Sequence, residues 1–234
     1  MNCKHRSAEK ELLDGDNIPF EDIKTNMEEL NTINKWLGGH FITCKGVAWF
    51  LNKAPKEQPL AIAETGCGGG DNLVVIQTFM GRLGRATTLT GIDLKQECIA
   101  FAQQNRPDNI VWICSDYRAV TWPAVKPDIV FSSLFCHHFT NEQLVAQLKW
   151  LQANSKLGFF INDLQRHWLA YSSIKIITRL WSRSYLVKND APLSVLRGFT
   201  KKEWIALMEQ AGITNYTIKW QWAFRYLICV DNEQ

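Results

Sequence analysis

The side chains best suited to chemistry fall in a few short stretches. Glu64-Thr65-Gly66-Cys67-Gly68-Gly69-Gly70-Asp71 follows an apolar run at 60–63 and opens an amphipathic one. Glycines at such a junction let the backbone turn tightly and approach a ligand closely. A dinucleotide fingerprint would need a third glycine where Asp71 stands, and no Gly-Lys-Ser/Thr follows for a phosphate loop. Acids at both ends of the loop would repel a pyrophosphate and suit a cationic ligand. The next two apolar runs end in Gly91-Ile92-Asp93-Leu94 and Ser115-Asp116. A carboxylate at Asp93 can accept from both hydroxyls of a ribose, and one at Asp116 from an exocyclic amino group. Each acid alone also reads as a helix N-cap. Three at successive strand ends point instead to a ligand at the carboxyl edge of an open sheet.

Two further stretches carry imidazoles. Ser132-Ser133-Leu134-Phe135 leads into Cys136-His137-His138-Phe139, where a histidine suits proton removal from a phenol or enol hydroxyl. In an extended segment adjacent side chains alternate, so only one of the pair faces a site. His137 is the preferred one, and a structural histidine bonded to backbone is the alternative. In Asn162-Asp163-Leu164-Gln165-Arg166-His167, Arg166 and His167 either face an acceptor or cap the following helix. No metal site is expected, because Cys136, His137 and His138 are too close in sequence for a zinc set. The seven cysteines include no Cys-x-x-Cys and suggest no disulfide framework.

The pattern Glu64-x-Gly66-x-Gly68-x-Gly70, then Asp93 and Asp116, resembles the class I S-adenosylmethionine-dependent methyltransferases over residues 58–165. The resemblance implies S-adenosyl-L-methionine as cofactor, with Gly66, Gly68 and Gly70 along its methionine part. It also implies Glu64 at the amino group, Asp93 at the ribose and Asp116 at the adenine, with Cys67, Leu94, Tyr117 and Ser133 beside them. The stretches Asn34-Lys35-Trp36-Leu37-Gly38-Gly39-His40, Cys136-His137-His138-Phe139, Asn162-Asp163-Leu164 and Asn189-Asp190-Ala191-Pro192 are similar to a bacterial small-molecule branch of polyketide or quinone type. The implied reaction is methyl transfer to a small aromatic or lipidic acceptor, with O-methylation favoured and C-methylation of a quinol or enol as the near alternative. An NAD(P)-binding oxidoreductase is the more distant one. Trp36, His40, Arg166, Trp168 and Tyr171 are expected against the acceptor, and His137, His138 or His167 as the catalytic base. No Asn-Pro-Pro-Tyr stretch is present, which disfavours methylation of nucleic-acid bases.

These residues need a scaffold, and the chain has the length and composition for one. Its 234 residues are 46% hydrophobic and 21% charged, with a net charge of +3 that advertises no nucleic-acid surface. No apolar run reaches the roughly 18 residues of a membrane span, and no secretory signal is read at the start, so a cytoplasmic protein is expected. Apolar runs at 60–63, 88–92, 110–114, 128–135 and 158–162 read as buried parallel strands, separated by helices at 72–83, 95–105 and 141–153. Thr140/Gln143 and Thr200/Glu203 are capping boxes, and 214–222 with 225–230 reads as an antiparallel hairpin. The fold class expected is α/β: a Rossmann-like seven-stranded sheet, mostly parallel with an antiparallel last strand, and helices on both faces.

Residues 1–25 are expected to be a flexible arm before a single domain at 26–234. Within it, 26–57 are N-terminal helices, 58–165 the cofactor-binding core, 166–199 a helical lid insert after the fifth strand, and 200–234 a last helix and hairpin. At 100° per residue, 166–183 places Lys175, Arg179 and Arg183 on one face and Ile174, Ile177, Leu180 and Trp181 on the other. Three uses are open for that helix: a plain cover, a lid closing on a hydrophobic acceptor, or a basic interfacial helix making transient membrane contact through 168–183. Ten tryptophans and twelve phenylalanines exceed ordinary need, and part of that surplus is expected to line the acceptor chamber. The oligomeric state is not legible.

Overall fold

The computed structural model of the chain describes residues 3–15, 18–54, 57–122 and 125–232. Five strands, β1 (Leu60–Thr65), β2 (Thr87–Asp93), β3 (Ile110–Cys114), β4 (Ile129–Ser133) and β5 (Gly158–Leu164), run parallel. The hairpin β6 (Tyr216–Gln221) and β7 (Arg225–Asp231) completes one sheet in the order β3-β2-β1-β4-β5-β7-β6. β7 is antiparallel to both of its neighbours, with Phe160 opposite Cys229. The alternating and apolar runs thus become strands as expected, and the reversal of order beside β1 opens a crevice at the carboxyl ends.

Side-chain alternation along the strands feeds two cores. Ile62, Phe131, Phe160 and Leu227 meet α2 (Gly39–Phe50) and α3 (Asp71–Arg82) on one face, along with Ile99 of α4 (Gln96–Asn105). Ala63, Val130, Phe159, Ile161 and Ile228 meet α5 (Asn141–Ala153) and α8 (Lys201–Ala211) on the other. α2 lies so close to β5 that a Cβ at Gly46 would sit 2.4 Å from the Phe160 ring. Both capping boxes form, and Phe199 packs on Trp204 at 4.3 Å as the staple after β5 requires.

Three elements differ from the sequence reading. α1 (Phe20–Trp36) begins six residues before the expected start at 26, because its first two turns pack Ile23 and Met27 against Cys98 and Phe101 of α4. The insert after β5 is two helices, α6 (Trp168–Trp181) and α7 (Tyr185–Arg197), and α7 carries Pro192 inside it. Ile33, Ala170, Ile174, Val187 and Val195 bind α1, α6 and α7 into one cover over the crevice.

The third difference is the N-terminal segment, whose described part is docked rather than loose. Arg6 donates to the carbonyls of Arg197 (2.9 Å) and Phe139 (2.9 Å), and Asp190 accepts from the amides of Leu12 and Leu13. A stretch that looks polar and irregular in sequence is fixed here by the half-buried Arg6 guanidinium and the buried Asp190 carboxylate, which need those partners.

Candidate functional site

The carboxyl ends of β1, β2, β4 and β5 open into one cavity of about 1000 Å³, roofed by α1, α6 and α7. Its two halves differ in chemistry. Glu64, Gly66, Cys67, Gly68, Asp93, Leu94, Asp116, Tyr117 and Ser133 border the acidic half, so nine of the ten residues expected at a cofactor lie together. Leu30, Leu37, Ile174, Ile177, Val195 and Phe224 border an apolar half beneath the cover.

Glu64 is the penultimate residue of β1 and is 1% exposed. Asn72 Nδ2 donates to its Oε1 at 2.7 Å, while its Oε2 has no partner among the described residues. Burial first, then the nearby Asp71 and Asp93, push this carboxyl well above the usual range, against the pull of Asn72. A buried, half-satisfied acid is costly unless a cationic group completes it, which suits a ligand carrying an ammonium or a sulfonium. Asp93 accepts from the Gly68 amide (2.8 Å) and the Lys95 amide (2.9 Å), so it shapes the loop and keeps lone pairs free for a ribose. Asp116 caps the short turn at Tyr117–Ala119 and pairs with Arg118, which holds its pKa below the ordinary value. It is thus a cap and a residue of the cavity wall at once.

Gly70 is the exception. Its φ is +76° and a Cβ there would lie 2.2 Å from Trp112, so its role is to turn the chain into α3 over that ring, away from the cavity. Gly70→Ala is expected to cost about 2–3 kcal/mol through strain and overpacking. An unchanged urea midpoint would contradict that role. Gly66 (φ +67°) has the same need, since a Cβ there would lie 2.3 Å from the Phe135 ring.

The histidines separate. His137 is 2% exposed, and its Nδ1 lies 2.8 Å from Asp163 Oδ1. Burial alone would lower its pKa, but Asp163 and then Glu11 outweigh it and raise the ring to about 9. His138 also borders the cavity, beside Asp14 and Glu11. The expectation that only one of the pair can face a site is corrected: the segment is a 3-10 turn, Cys136–His138, which puts both rings on one side, 4.5 Å apart. His167 is not brought to the cavity. Its Nδ1 accepts from the Leu169 amide to cap α6, and its ring stacks on Phe224 at 4.8 Å.

None of the five residues expected against the acceptor borders the cavity. Arg166 is buried, bonding the Gly198 carbonyl (2.6 Å), Glu203 (2.7 Å) and the Cys3 carbonyl (3.0 Å), because a buried guanidinium must satisfy its donors locally. His40 contacts Asn72 (3.1 Å) and Asn31 (2.8 Å), so it reaches Glu64 only through Asn72. Trp36 packs against Trp181 outside the cavity with the rings tilted by 60°, Trp168 is exposed, and Tyr171 lies under Lys175. The face of α6 is also corrected. Ala170, Ile174 and Thr178 form the buried stripe with Ile177 on the cavity, whereas Ile176 and Leu180 point outward, Leu180 at 82% exposure.

Several cavity residues went unassigned in the sequence reading. Glu11 and Asp14 arrive with the docked N-terminal segment, and Trp220, Trp222, Ala223, Phe224 and Arg225 come from the tip of the β6–β7 hairpin. Ala223 and Phe224 both have positive φ (+58° and +56°), the left-handed backbone of a tight hairpin turn. Asp163 had a visible signal, a carboxylate within a buried apolar strand.

Comparison with known proteins agrees with this geometry. Residues 62–157 match the model of a methyltransferase domain family. No significant match is found among the sequences of curated proteins. Among solved structures, the plantazolicin methyltransferase BpumL in complex with a triazolic desmethylPZN analog and SAH is similar at a TM-score of 0.67 and 18% identity, covering 90% of each chain. Magnesium protoporphyrin IX methyltransferase from Synechocystis PCC 6803 with bound SAH is similar at 0.56 and 14%, covering 84% of each. The CMeT domain of the citrinin polyketide synthase is similar at 0.59 and 14%, covering 80% of this chain and 50% of that one. At such identities the structural likeness is one of fold, and none of the comparisons favours an NAD(P) oxidoreductase. The match of residues 62–157 to a methyltransferase domain, the sheet order and the acids at the strand ends agree on a Rossmann-like methyltransferase fold whose acidic sheet edge suits S-adenosylmethionine.

Proposed function

We propose that this enzyme methylates an acidic hydroxyl or enol oxygen on a small, apolar, ring-bearing acceptor. The observation that carries the reading is Arg225 at the wall of the apolar half. It is 2% exposed, its Nη2 donates to Asn34 Oδ1 at 2.7 Å, and its Nε and Nη1 have no partner among the described residues. Burial pulls its pKa to about 10, against the field of Asp163, so it still carries its charge at neutral pH. A buried cation with unpartnered donors in an apolar chamber favours an acceptor that brings partial negative charge. A phenol or enol does so, and an ammonium does not.

When bound, S-adenosylmethionine supplies the methyl carbon already activated by its sulfonium. The chain's own contribution is placement and charge. Glu64 and Asp93 orient one partner, the apolar cover excludes water, and Arg225 steadies the oxygen of the other. The same enol could present its carbon, so the position of the label decides between O- and C-transfer.

The test is a matched pair of acceptors, a phenol and the amine of the same carbon skeleton, incubated with methyl-labelled cofactor. The phenol is expected to be methylated on oxygen, and Arg225→Leu to raise its KM by about 10-fold or more, the weight of one charge-assisted hydrogen bond. Preferential labelling of the amine would overturn the reading. The outer face of α6 presents Trp168, Leu169, Ile176 and Leu180 beside Lys175 and Arg179, which fits an interfacial helix for a lipidic acceptor. Flotation with anionic vesicles is expected, and its loss in Leu180→Glu; a wild-type chain that stays at the bottom of the gradient would remove the membrane contact. No helix of the described residues is long and apolar enough to cross a membrane.

A further inference from the structure

We propose that Glu11, His137 and His138 form a binding site for one divalent transition-metal ion of zinc type, with an open position facing the acceptor half of the cavity. The three residues each offer a ligand atom within 4.8 Å of the others. Both histidines turn Nε2 toward the same carboxylate, His137 at 3.5 Å from Glu11 Oε1 and His138 at 3.8 Å from Glu11 Oε2. These separations are long for hydrogen bonds. They are close to the ligand–ligand edge of a tetrahedral zinc site, about 3.4 Å for bonds of about 2.0–2.1 Å.

The outer contacts strengthen the assignment, because a metal-ligating histidine nearly always gives its other nitrogen to a carboxylate, carbonyl or water. His137 Nδ1 lies 2.8 Å from Asp163, and His138 Nδ1 lies 3.1 Å from Asp14. Ser194 Oγ donates to Glu11 Oε1 at 2.7 Å. With Nδ1 held protonated on both rings by Asp163 and Asp14, an arriving ion displaces the Nε2 proton of His137 to solvent, and the two Nε2 lone pairs then converge on the space beside Glu11. The supports are themselves fixed: Asp163 accepts from the Cys136 and Leu164 amides at 2.7 Å, and Asp190 from the amides of Leu12 and Leu13. Arg197 holds the carbonyls of His137 (3.0 Å) and His138 (2.9 Å), so its donors are engaged by backbone and the carboxylates are left to the ion.

Two imidazoles and one carboxylate leave a fourth tetrahedral position, the arrangement of a metal that binds a further oxygen ligand. Glu11, Asp14, His137 and His138 all border the cavity. If the acceptor is an acidic hydroxyl, as argued above, its oxygen is the natural occupant. That role rests on the proposed function, whereas the binding of metal does not.

The test therefore reads metal, not turnover. The full chain is loaded with zinc, dialysed and measured by elemental analysis, and a Co2+-loaded sample is examined for visible d–d absorption of tetrahedral intensity. One ion per chain is expected, with affinity falling by about 100-fold or more in Glu11→Gln and in the less buried His138→Gln. Asp14→Asn, which only orients His138, is expected to lose about 10-fold. Titration with S-adenosylhomocysteine, whose half of the cavity these variants leave intact, verifies folding. Absence of bound metal in the wild-type chain, or equal retention by Glu11→Gln and His138→Gln, overturns the site. Bound metal with methyl transfer indifferent to chelation would keep the site and remove its role in the reaction. Methyl transfer by a chain that binds no metal would overturn the site and leave the proposed function standing alone.

Discussion

Asp93→Ala is expected to weaken binding of S-adenosylmethionine by about 100-fold or more. That size follows from the bonds at stake. A carboxylate that takes two ribose hydroxyls makes two charge-assisted hydrogen bonds, each worth about 1.5–3 kcal/mol, and about 1.4 kcal/mol is a factor of ten. Asp93 also accepts from the amides of Gly68 and Lys95, so its loss releases the glycine loop as well. Asp93→Asn separates the two contributions. An amide at that position keeps the size and one acceptor oxygen, so it should retain part of the loop geometry while losing the charge. Titration calorimetry with S-adenosylhomocysteine reads both variants, and wild-type affinity in Asp93→Ala would contradict the placement of the ribose.

The second large effect is on stability. Asp163→Asn is expected to destabilise the chain by about 3–5 kcal/mol, the cost of removing one member of a buried charged pair. Asp163 is fully buried and accepts from His137, from the amides of Phe135 and Cys136, and from its neighbour Leu164. An asparagine of the same shape turns one of those acceptors into a donor and faces it at another donor. The turn bearing both histidines then loses its anchor to β5. Urea unfolding measures this directly, and a loss below about 1 kcal/mol would mean that the turn is held by Arg197 and packing alone. Cofactor affinity, set by the strand ends on the far side of the cavity, should change much less.

What could be read from the sequence was what is local. Strand periodicity, the capping boxes and the glycine loop each depend on residues within a few positions of one another, and they placed β1–β7 and nine of the residues bordering the acidic half. The acceptor half depends on chain segments that meet only in three dimensions. Nothing near Glu11 announces that it will lie against His137, since the connection runs through Arg6, Asp190 and Arg197 binding distant backbone. Arg166 and His40 look like site residues because polar side chains beside a strand end often are. In the folded chain their polar atoms hold structure together instead. The helical wheel of 166–183 failed for a related reason: an apolar stripe shows which residues seek cover but not which neighbour provides it, and α1 with α7 cover Ala170 and Ile174 rather than Leu180. The aromatic surplus is likewise resolved by contact. The rings bordering the cavity belong to the tip of the β6–β7 hairpin and to Tyr117, Phe135 and Phe139, while Trp36 and Trp168 lie outside it.

A crystal structure of the chain soaked or grown with S-adenosylhomocysteine tests the account most directly. The expected result places the ligand's amino group on Glu64 Oε2, its ribose hydroxyls on Asp93, its adenine beside Asp116 and Tyr117, and its sulfur toward the chamber bounded by His137 and Arg225. A ligand bound elsewhere, or in the same cavity with its amino group away from Glu64, would contradict it.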